Sequence, residues 1–154
     1  FTKLVSSRSE GNHSSGFYNL FFDNDNVFRI LYEGPQVSSV YWPDPWLVSN
    51  NVGDGNGRTT YNSSRVAVLD SLGEFGASDH FSHKTIDYGL LVQRRLTLDH
   101  DGNARFYSRK NGEENWSITG QFKSQPCFIH GICGPNSICS HEQAIGRKCS
   151  CLEG

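Results

Sequence analysis

The residues with the clearest capacity for chemistry are carboxylates and amides that alternate along short segments. Asp99, Asp101 and Asn103 stand two residues apart, and Asp23 and Asp25 form a similar run. Alternate residues of a strand point to the same side, so such a run can present oxygens to sugar hydroxyls or to a cation. Two carboxylates spaced in this way lie closer together than those of a retaining glycosidase, which makes hydrolysis the weakest interpretation.

The spacing of other residues argues against a metal centre. An EF-hand loop beginning at Asp99 would need Gly at its sixth position and Glu at its twelfth, where Ala104 and Lys110 stand. His80 and His83 have no third ligand at a suitable spacing, and we expect both to be polar surface groups. The chain also lacks a Gly-x-Ser-x-Gly elbow, a phosphate-binding loop and the kinase motifs. We therefore predict no metal ligand and no catalytic residue in this chain.

Five cysteines are clustered at one end of the chain: Cys127, Cys133, Cys139, Cys149 and Cys151. Such clustering indicates disulfides and an oxidising compartment, and the absence of a Cys-x-x-Cys pair disfavours zinc. Three Asn-x-Ser acceptors, at Asn12, Asn62 and Asn115, point to glycosylation on the same secretory route.

Length and composition limit the classes of protein to which the chain can belong. The chain has 154 residues, enough for one domain and a small appendage, and its net charge of -2 gives no sign of a nucleic-acid partner. No apolar run is long enough to cross a bilayer. The aromatic share of 12% and the mixed charges favour a folded chain.

Short apolar runs separated by Gly, Asn and Asp predict an all-β fold. Runs 17–22 and 27–32 flank a polar cluster, and runs 96–99 and 103–107 flank an Asp-Gly turn. A third hairpin is expected around 70–73. The segments 20–29 and 96–105 share the frame Leu, x, apolar, Asp, x, Asp, with Arg four residues on, which we interpret as a loose hairpin repeat.

Trp42 and Trp46 bracket two prolines, so we expect residues 41–46 to form a turn and residues 50–57 an exposed loop. The two indoles could form a platform for sugars or could anchor the turn in the core. Large aromatic side chains are usually structural, which favours the core.

Together these segments resemble a known family of plant receptors. The resemblance to the S-locus glycoprotein domain, running into an EGF-like module, rests on the run 94–103, on Trp116, and on the cysteine block with its His130-Gly131 and Gly134-Pro135-Asn136 motifs. The runs 15–18, 22–27 and 41–46 resemble the bulb-type lectin region of the same proteins, the plant G-type (bulb-type) lectin S-receptor-like serine/threonine kinases.

The resemblance implies three regions: residues 1–60, the C-terminal part of a bulb-lectin-like β-prism; 61–126, the hairpins of the S-locus glycoprotein domain; and 127–154, a truncated EGF-like module. In that module the implied disulfides are Cys127–Cys139 and Cys133–Cys149, and Cys151 lacks its partner. The residues before the first cysteine, 123–126, do not match the calcium-binding form of the module.

The resemblance also suggests ligand-binding residues. The lectins' mannose signature is Gln-x-Asp-x-Asn-x-Val-x-Tyr, and of its polar and Val positions only Asp23 and Val27 match here. Phe21, Asp25 and Arg29 replace the Gln, Asn and Tyr, so we expect a degenerate sugar pocket. The ligand-binding candidates are Asp23, Asp25, Val27, Trp42 and Trp46.

The implied function is extracellular recognition of a glycan, peptide or protein, associated in the family with recognition of pollen and with defence or stress signalling. The implied parent carries one membrane helix and a cytoplasmic kinase that uses ATP, and as a receptor it could form homo- or hetero-oligomers. This chain would have no cofactor, and would meet the membrane only through a downstream helix. The alternative is a soluble secreted protein of the same family without a kinase.

Overall fold

The computed structural model describes residues 2–44 and 63–152. Within these ranges the chain forms strands, turns and one short 3-10 helix, Pro126–Phe128, with no α-helix. The all-β prediction is confirmed. No helix in the described ranges has the length and hydrophobicity that a bilayer crossing requires.

The N-terminal part forms a four-stranded antiparallel sheet in sequence order. Its strands are β1 (Leu4–Ser9), β2 (Asn12–Phe22), β3 (Phe28–Glu33) and β4 (Ser38–Trp42). Strand β3 alternates buried and more exposed residues because its Phe28, Ile30 and Tyr32 point to the core. The sequence therefore builds this sheet with one apolar face.

Two further three-stranded sheets follow. Strands β5 (Ala67–Leu69), β6 (Glu74–Ala77) and β7 (Ser82–Lys84) form one of them, and β8 (Gln93–Leu98), β9 (Ala104–Arg109) and β10 (Ser117–Gln121) form the other. The cysteine-rich end adds the hairpin of β11 (Ser137–Glu142) and β12 (Gly146–Cys151).

One aromatic core joins the first three sheets. Phe75 of β6 lies 5.8 Å from the Phe28 ring and 5.6 Å from the Phe106 ring, so it connects strands of all three. Most of the core lies on the N-terminal sheet, and Leu98, Ala104 and Phe106 supply the contribution of β8 and β9. Residues of regions 1–60 and 61–126 thus share a core, and the boundary between these regions stays a prediction.

The three sheets use the same tight turn. It occupies residues 23–27, 70–74 and 99–103, and its first residue is Asp each time. The main-chain N–H of the first residue donates to the carbonyl of the fifth, and the N–H of the fourth residue donates to the carbonyl of the first. The N···O distances are 2.9 to 3.3 Å. The fourth residue has a positive φ in every turn: Asn26 64°, Gly73 96° and Gly102 85°. The two-hairpin repeat expected from sequence therefore extends to a third hairpin.

The structure corrects two expectations. Tyr41 and Trp42 end strand β4 and are buried, with 2% and 7% exposure, so the predicted turn begins only at Pro43. His83 lies on β7 with its ring stacked 5.0 Å from Phe106, so it is not a polar surface group. The predicted loop 50–57 lies outside the described residues.

Candidate functional site

Two of the three turns carry the same ion-paired cluster, formed by an arginine and two aspartates. In the first, Arg29 Nη1 lies 3.1 Å from Asp23 Oδ2, and Nη2 donates to Asp25 Oδ2 at 2.6 Å. In the second, Arg105 Nη1 lies 2.7 Å from Asp99 Oδ2, and Nη2 lies 2.7 Å from Asp101 Oδ2. Planar guanidinium groups suit this double pairing because they offer several N–H groups in a fixed fork.

In each cluster the arginine lowers the pKa of one aspartate, Asp25 in the first and Asp101 in the second. Hydrogen bonds from Arg29 hold the pKa of Asp25 below its ordinary value. Burial by itself would raise the pKa of Asp101, but hydrogen bonds from Arg105 and the Asn103 main chain leave it lowered. The oxygens in both clusters are therefore engaged with an internal cation.

The third turn has no such cluster. The positions equivalent to Asp25 and Arg29 are Leu72 and Gly76, which cannot form an ion pair. All three turns therefore share the backbone geometry, but only two of them carry the cluster of one arginine and two aspartates.

A surface groove of about 670 Å³ lies beside the second cluster, lined in part by Asp99, Asp101 and Tyr107. The Tyr107 hydroxyl donates to Asp99 Oδ2 at 2.6 Å, and burial with this bond raises the pKa of Tyr107 to about 12. Asn103 is buried and binds the main chain of Lys123 with both ends of its amide. The polar groups of this segment thus bond mainly to one another or to the main chain.

Of the predicted ligand-binding residues, the four that the structure describes are ion-paired within the chain or buried in its core. Asp23 and Asp25 bind Arg29, and Val27 is fully buried. Trp42 packs with its ring 4.4 Å from that of Phe122, which supports the core interpretation. Trp46 lies outside the described residues. Their assignment to ligand binding stays a prediction.

A second cleft, of about 420 Å³, was not expected from sequence. It lies where the N-terminal sheet meets the cysteine-rich end and is lined in part by Phe17, Tyr32, Val37 and His130. The Ser39 hydroxyl lies 2.8 Å from His130 Nδ1. Burial, with a contribution from nearby Lys123, lowers the pKa of His130.

The backbone at this junction depends on a close approach. Gly131 has a φ of 73°, and a Cβ built on it would lie 2.4 Å from the Tyr32 ring. The Tyr18 hydroxyl donates to the His130 carbonyl at 3.0 Å. In the sequence, the His130-Gly131 pair was the one signal for this junction. The residues that it contacts, Tyr18 and Tyr32, are distant in the chain and could not be predicted from the pair itself.

The cysteines pair as the EGF-like resemblance implies. The disulfides are Cys127–Cys139 and Cys133–Cys149, and Cys151 is an exposed free thiol. No group of three or more potential metal ligands occurs in the part of the chain that the structure describes.

The acceptor at Asn12 has an ordered local geometry at the surface. Asn12 Oδ1 accepts bonds from the Ser14 main-chain N–H at 3.0 Å and the Ser14 hydroxyl at 2.7 Å, and both residues are exposed. We predict that the chain secreted from human cells carries a glycan at Asn12. Mass spectrometry should show one glycan fewer after Asn12→Gln and no change after Asn24→Gln, an exposed asparagine without a Ser or Thr at the required position. An unchanged glycan mass in Asn12→Gln would refute the assignment.

We predict that His83 lowers the free energy of unfolding as the pH falls. Its Nε2 is buried without a hydrogen-bond partner, and burial lowers the pKa of His83. Between about pH 6.5 and that lowered pKa the unfolded chain binds a proton that the folded chain does not, so the free energy of unfolding falls as pH falls. Urea unfolding at several pH values should show a shallower dependence in His83→Leu. The exposed control His141→Leu should retain the wild-type slope, and equal slopes in all three proteins would contradict the prediction.

With the disulfides, the sheets and the repeated turns established, the chain can be placed in a class. Residues 58–154 match the S-locus glycoprotein domain, and the chain belongs to that family. In receptor kinases this domain is extracellular, and it is not the kinase domain.

The relatives are plant receptor kinases. The chain is similar to the receptor protein kinase ZmPK1 of Zea mays, with 41% identity over 159 residues, covering 99% of this chain and 18% of the relative. Two G-type lectin S-receptor-like serine/threonine-protein kinases of Arabidopsis thaliana are 29% and 24% identical over 78% and 99% of this chain, covering 15% and 17% of those proteins. The chain thus spans less than a fifth of the length of these relatives.

Proposed function

We propose that this chain is part of the ligand-recognition segment of a single-pass plant receptor-like serine/threonine kinase at the plasma membrane. The observation that carries the proposal is the alignment of nearly the whole chain with a maize receptor kinase, together with its match to an extracellular domain family. The two disulfides support an oxidising compartment. The kinase reaction and its ATP would belong to the parent.

The proposed role is to bind an extracellular ligand and pass its occupancy to the kinase through the membrane helix. The family association extends this role to recognition of pollen or to defence and stress signalling. The ligand belongs to one of three classes, a glycan, a peptide or another ectodomain. The cleft lined by Phe17, Tyr32 and His130 supports such a role because ligand sites are commonly apolar concavities with a few polar groups at a junction.

The experiment for this proposal is the sequence of the full-length transcript. A membrane helix followed by a kinase domain, downstream of a sixth cysteine, is the expected result. A stop codon soon after the sixth cysteine would overturn it in favour of the soluble secreted alternative. Surface labelling of the tagged full-length protein in plant protoplasts, with and without the membrane helix, would then test its location.

Binding of mannose at the first hairpin is expected to be absent. Arg29 engages the oxygens of Asp23 and Asp25, and Phe21 has no polar group to offer a sugar. On a glycan panel we expect no saturable mannose binding by the wild-type chain. Phe21→Gln with Asp25→Asn and Arg29→Tyr, which restores the lectin signature, is the matched comparison. Wild-type mannose binding abolished by Asp23→Ala would contradict this prediction.

A glycan bound elsewhere gives a different pattern. Binding that survives Asp23→Ala and is lost in Asp99→Ala would assign sugar recognition to the groove beside the second cluster. If the folded, secreted chain binds no glycan on the panel, a peptide or protein ligand is favoured.

A further inference from the structure

The outer face of the sheet of β8, β9 and β10 carries a cluster of aromatic and cationic side chains. Strand β9 alternates buried residues with more exposed ones, and Tyr107 and Arg109 belong to the more exposed set. On β8, Arg95 stands opposite Tyr107, and Gln93 stands opposite Arg109. Arg95 and Arg109 are therefore diagonal neighbours on the side of the sheet that faces away from the core.

The indole of Trp116 contacts both guanidinium groups. Arg95 Cζ lies 4.3 Å from the centre of the Trp116 ring, and Arg109 Cζ lies 4.9 Å from it. Arg95 Cζ is also 5.4 Å from the centre of the Tyr107 ring, and Arg109 Nε donates to Gln93 Oε1 at 3.1 Å. Because both arginines contact one ring, their guanidinium carbons lie within about 9 Å of each other. Trp116 does not belong to the aromatic core, so its contacts serve mainly to hold these two charges close together.

No carboxylate of the described residues neutralises these two charges. The other arginines of the sheet, Arg94 and Arg105, each form ion pairs with aspartates, but Arg95 and Arg109 form none within residues 2–44 and 63–152. Arg109 uses Nε and Nη2 to bind Gln93, which leaves its Nη1 available. Arg95 is exposed and donates no hydrogen bond to the described part of the chain. Two guanidinium groups with free N–H donors are suited to carboxylate ligands.

The surrounding charges limit the kind of anion that fits. Three exposed carboxylates lie in the adjoining groove or in the turn before Trp116, and within the described residues none forms an ion pair with either arginine: Glu10, Glu113 and Glu114. The turn also carries the exposed cation Lys110. The groove contains two imidazoles and the second arginine cluster as well: His13, His100, Asp99, Asp101 and Arg105. A long polyanion would be repelled by the flanking carboxylates, so a short ligand with two carboxylates suits the pair better.

We propose that Arg95, Trp116 and Arg109 form a binding site for an extended peptide segment that carries carboxylates at two alternate positions. Alternate residues of an extended segment point to the same side and lie about 7 Å apart, a spacing that matches two guanidinium groups held on one ring. The inference names one ligand class for the proposed recognition role and rests on that role. The binding itself is a property of this chain and can be measured on it alone.

Fluorescence anisotropy with labelled synthetic peptides tests the site on the purified secreted chain. The probe is Thr-Glu-Thr-Glu-Thr, and the control peptides are Thr-Thr-Glu-Glu-Thr and Thr-Gln-Thr-Gln-Thr. We expect saturable binding of the probe, affinity about fivefold lower when the carboxylates are adjacent, and no binding of the amide peptide. Equal affinity for all three peptides would overturn the proposal.

Substitutions of the arginines locate the binding. Arg95→Gln and Arg109→Gln should each lower the affinity for the probe about tenfold, because each removes one charge-assisted pair. The matched control, Arg147→Gln, removes an exposed arginine on β12 and should leave the affinity unchanged. Near-ultraviolet circular dichroism should show that every variant keeps its packed core. An equal loss in Arg147→Gln would mean that net charge alone is measured, which would overturn the proposal.

Two further outcomes would overturn it. Asn115 directly precedes Trp116, so probe binding that appears only after Asn115→Gln would show that an attached glycan closes the site in the secreted chain. Polygalacturonate that binds more tightly than the probe and is lost in Arg95→Gln would assign the site to an acidic glycan instead. The transcript test is independent of both results, so failure here is distinct from failure of the receptor assignment.

Discussion

Asp79→Ala is expected to lower the free energy of unfolding by about 3–5 kcal/mol, the largest effect of any substitution considered. The Asp79 side chain is fully buried between the first two sheets. Its Oδ2 accepts the Phe28 main-chain N–H at 2.8 Å, and its Oδ1 accepts the Phe81 N–H at 3.1 Å. Alanine would leave both amides without this acceptor, and a bond to a charged acceptor is stronger than a neutral one.

Urea unfolding of the secreted chain measures this loss, and Asp70→Ala is its matched control. Asp70 also accepts two main-chain N–H groups, from Leu72 and Glu74, but it is exposed and water can replace it. We expect a cost near 1 kcal/mol at Asp70 and an intermediate cost for Asp79→Asn, which keeps one acceptor oxygen. Equal losses at Asp79 and Asp70 would show that burial of the carboxylate does not matter here.

Removal of the second disulfide should have the next largest effect, but a local one. Cys133→Ser with Cys149→Ser opens a loop with a sequence separation of 16, which removes about 3 kcal/mol of constraint. The hairpin of β11 and β12 contributes no residue to the shared aromatic core. We therefore expect the hairpin to open while the three sheets remain folded.

Hydrogen exchange resolves the two regions. Amides of β11 and β12 should exchange faster in the double variant, while those of β9, which carries the fully buried Phe106, should keep their protection. Cys151→Ser is the control, since this thiol is exposed and unpaired and its loss should change neither region. Faster exchange in β9 to the same extent would mean that the disulfide supports the whole chain.

The family relationship and the fold class could be reached from sequence because both depend on local spacing. Period-two apolar runs, Asp-Gly turn chemistry and the intervals between cysteines act over a few residues, and they predicted the hairpins and, through the resemblance, the disulfides. The frame shared by the segments that begin at Leu20 and Leu96 likewise predicted two related hairpins, and both contain the arginine clusters.

The same local reasoning failed where a distant partner decides the outcome. Trp42 was expected in a turn because Pro43 follows it, but contacts with Phe28, Phe81 and Phe122 bury it at the end of a strand. Packing against residues far away in the chain overrides the local signal, since burial of a large aromatic side chain outweighs a turn preference. The role of Asp79 could not be predicted from the sequence either, because the Phe28 amide that it accepts from lies 51 positions away.

By itself, then, the sequence determined the family, the all-β class, the hairpin turns and, through the resemblance, the pairing of the cysteines. Only the tertiary structure decided which side chains are paired, which are buried and which are exposed to solvent. It engaged the carboxylates at 23 and 25 with Arg29, buried Asn103 and Asp79, and left Ile86 and Leu91 in solvent. Exposure and pairing are sums over contacts from the whole chain, whereas turns and cysteine intervals are set within a few residues.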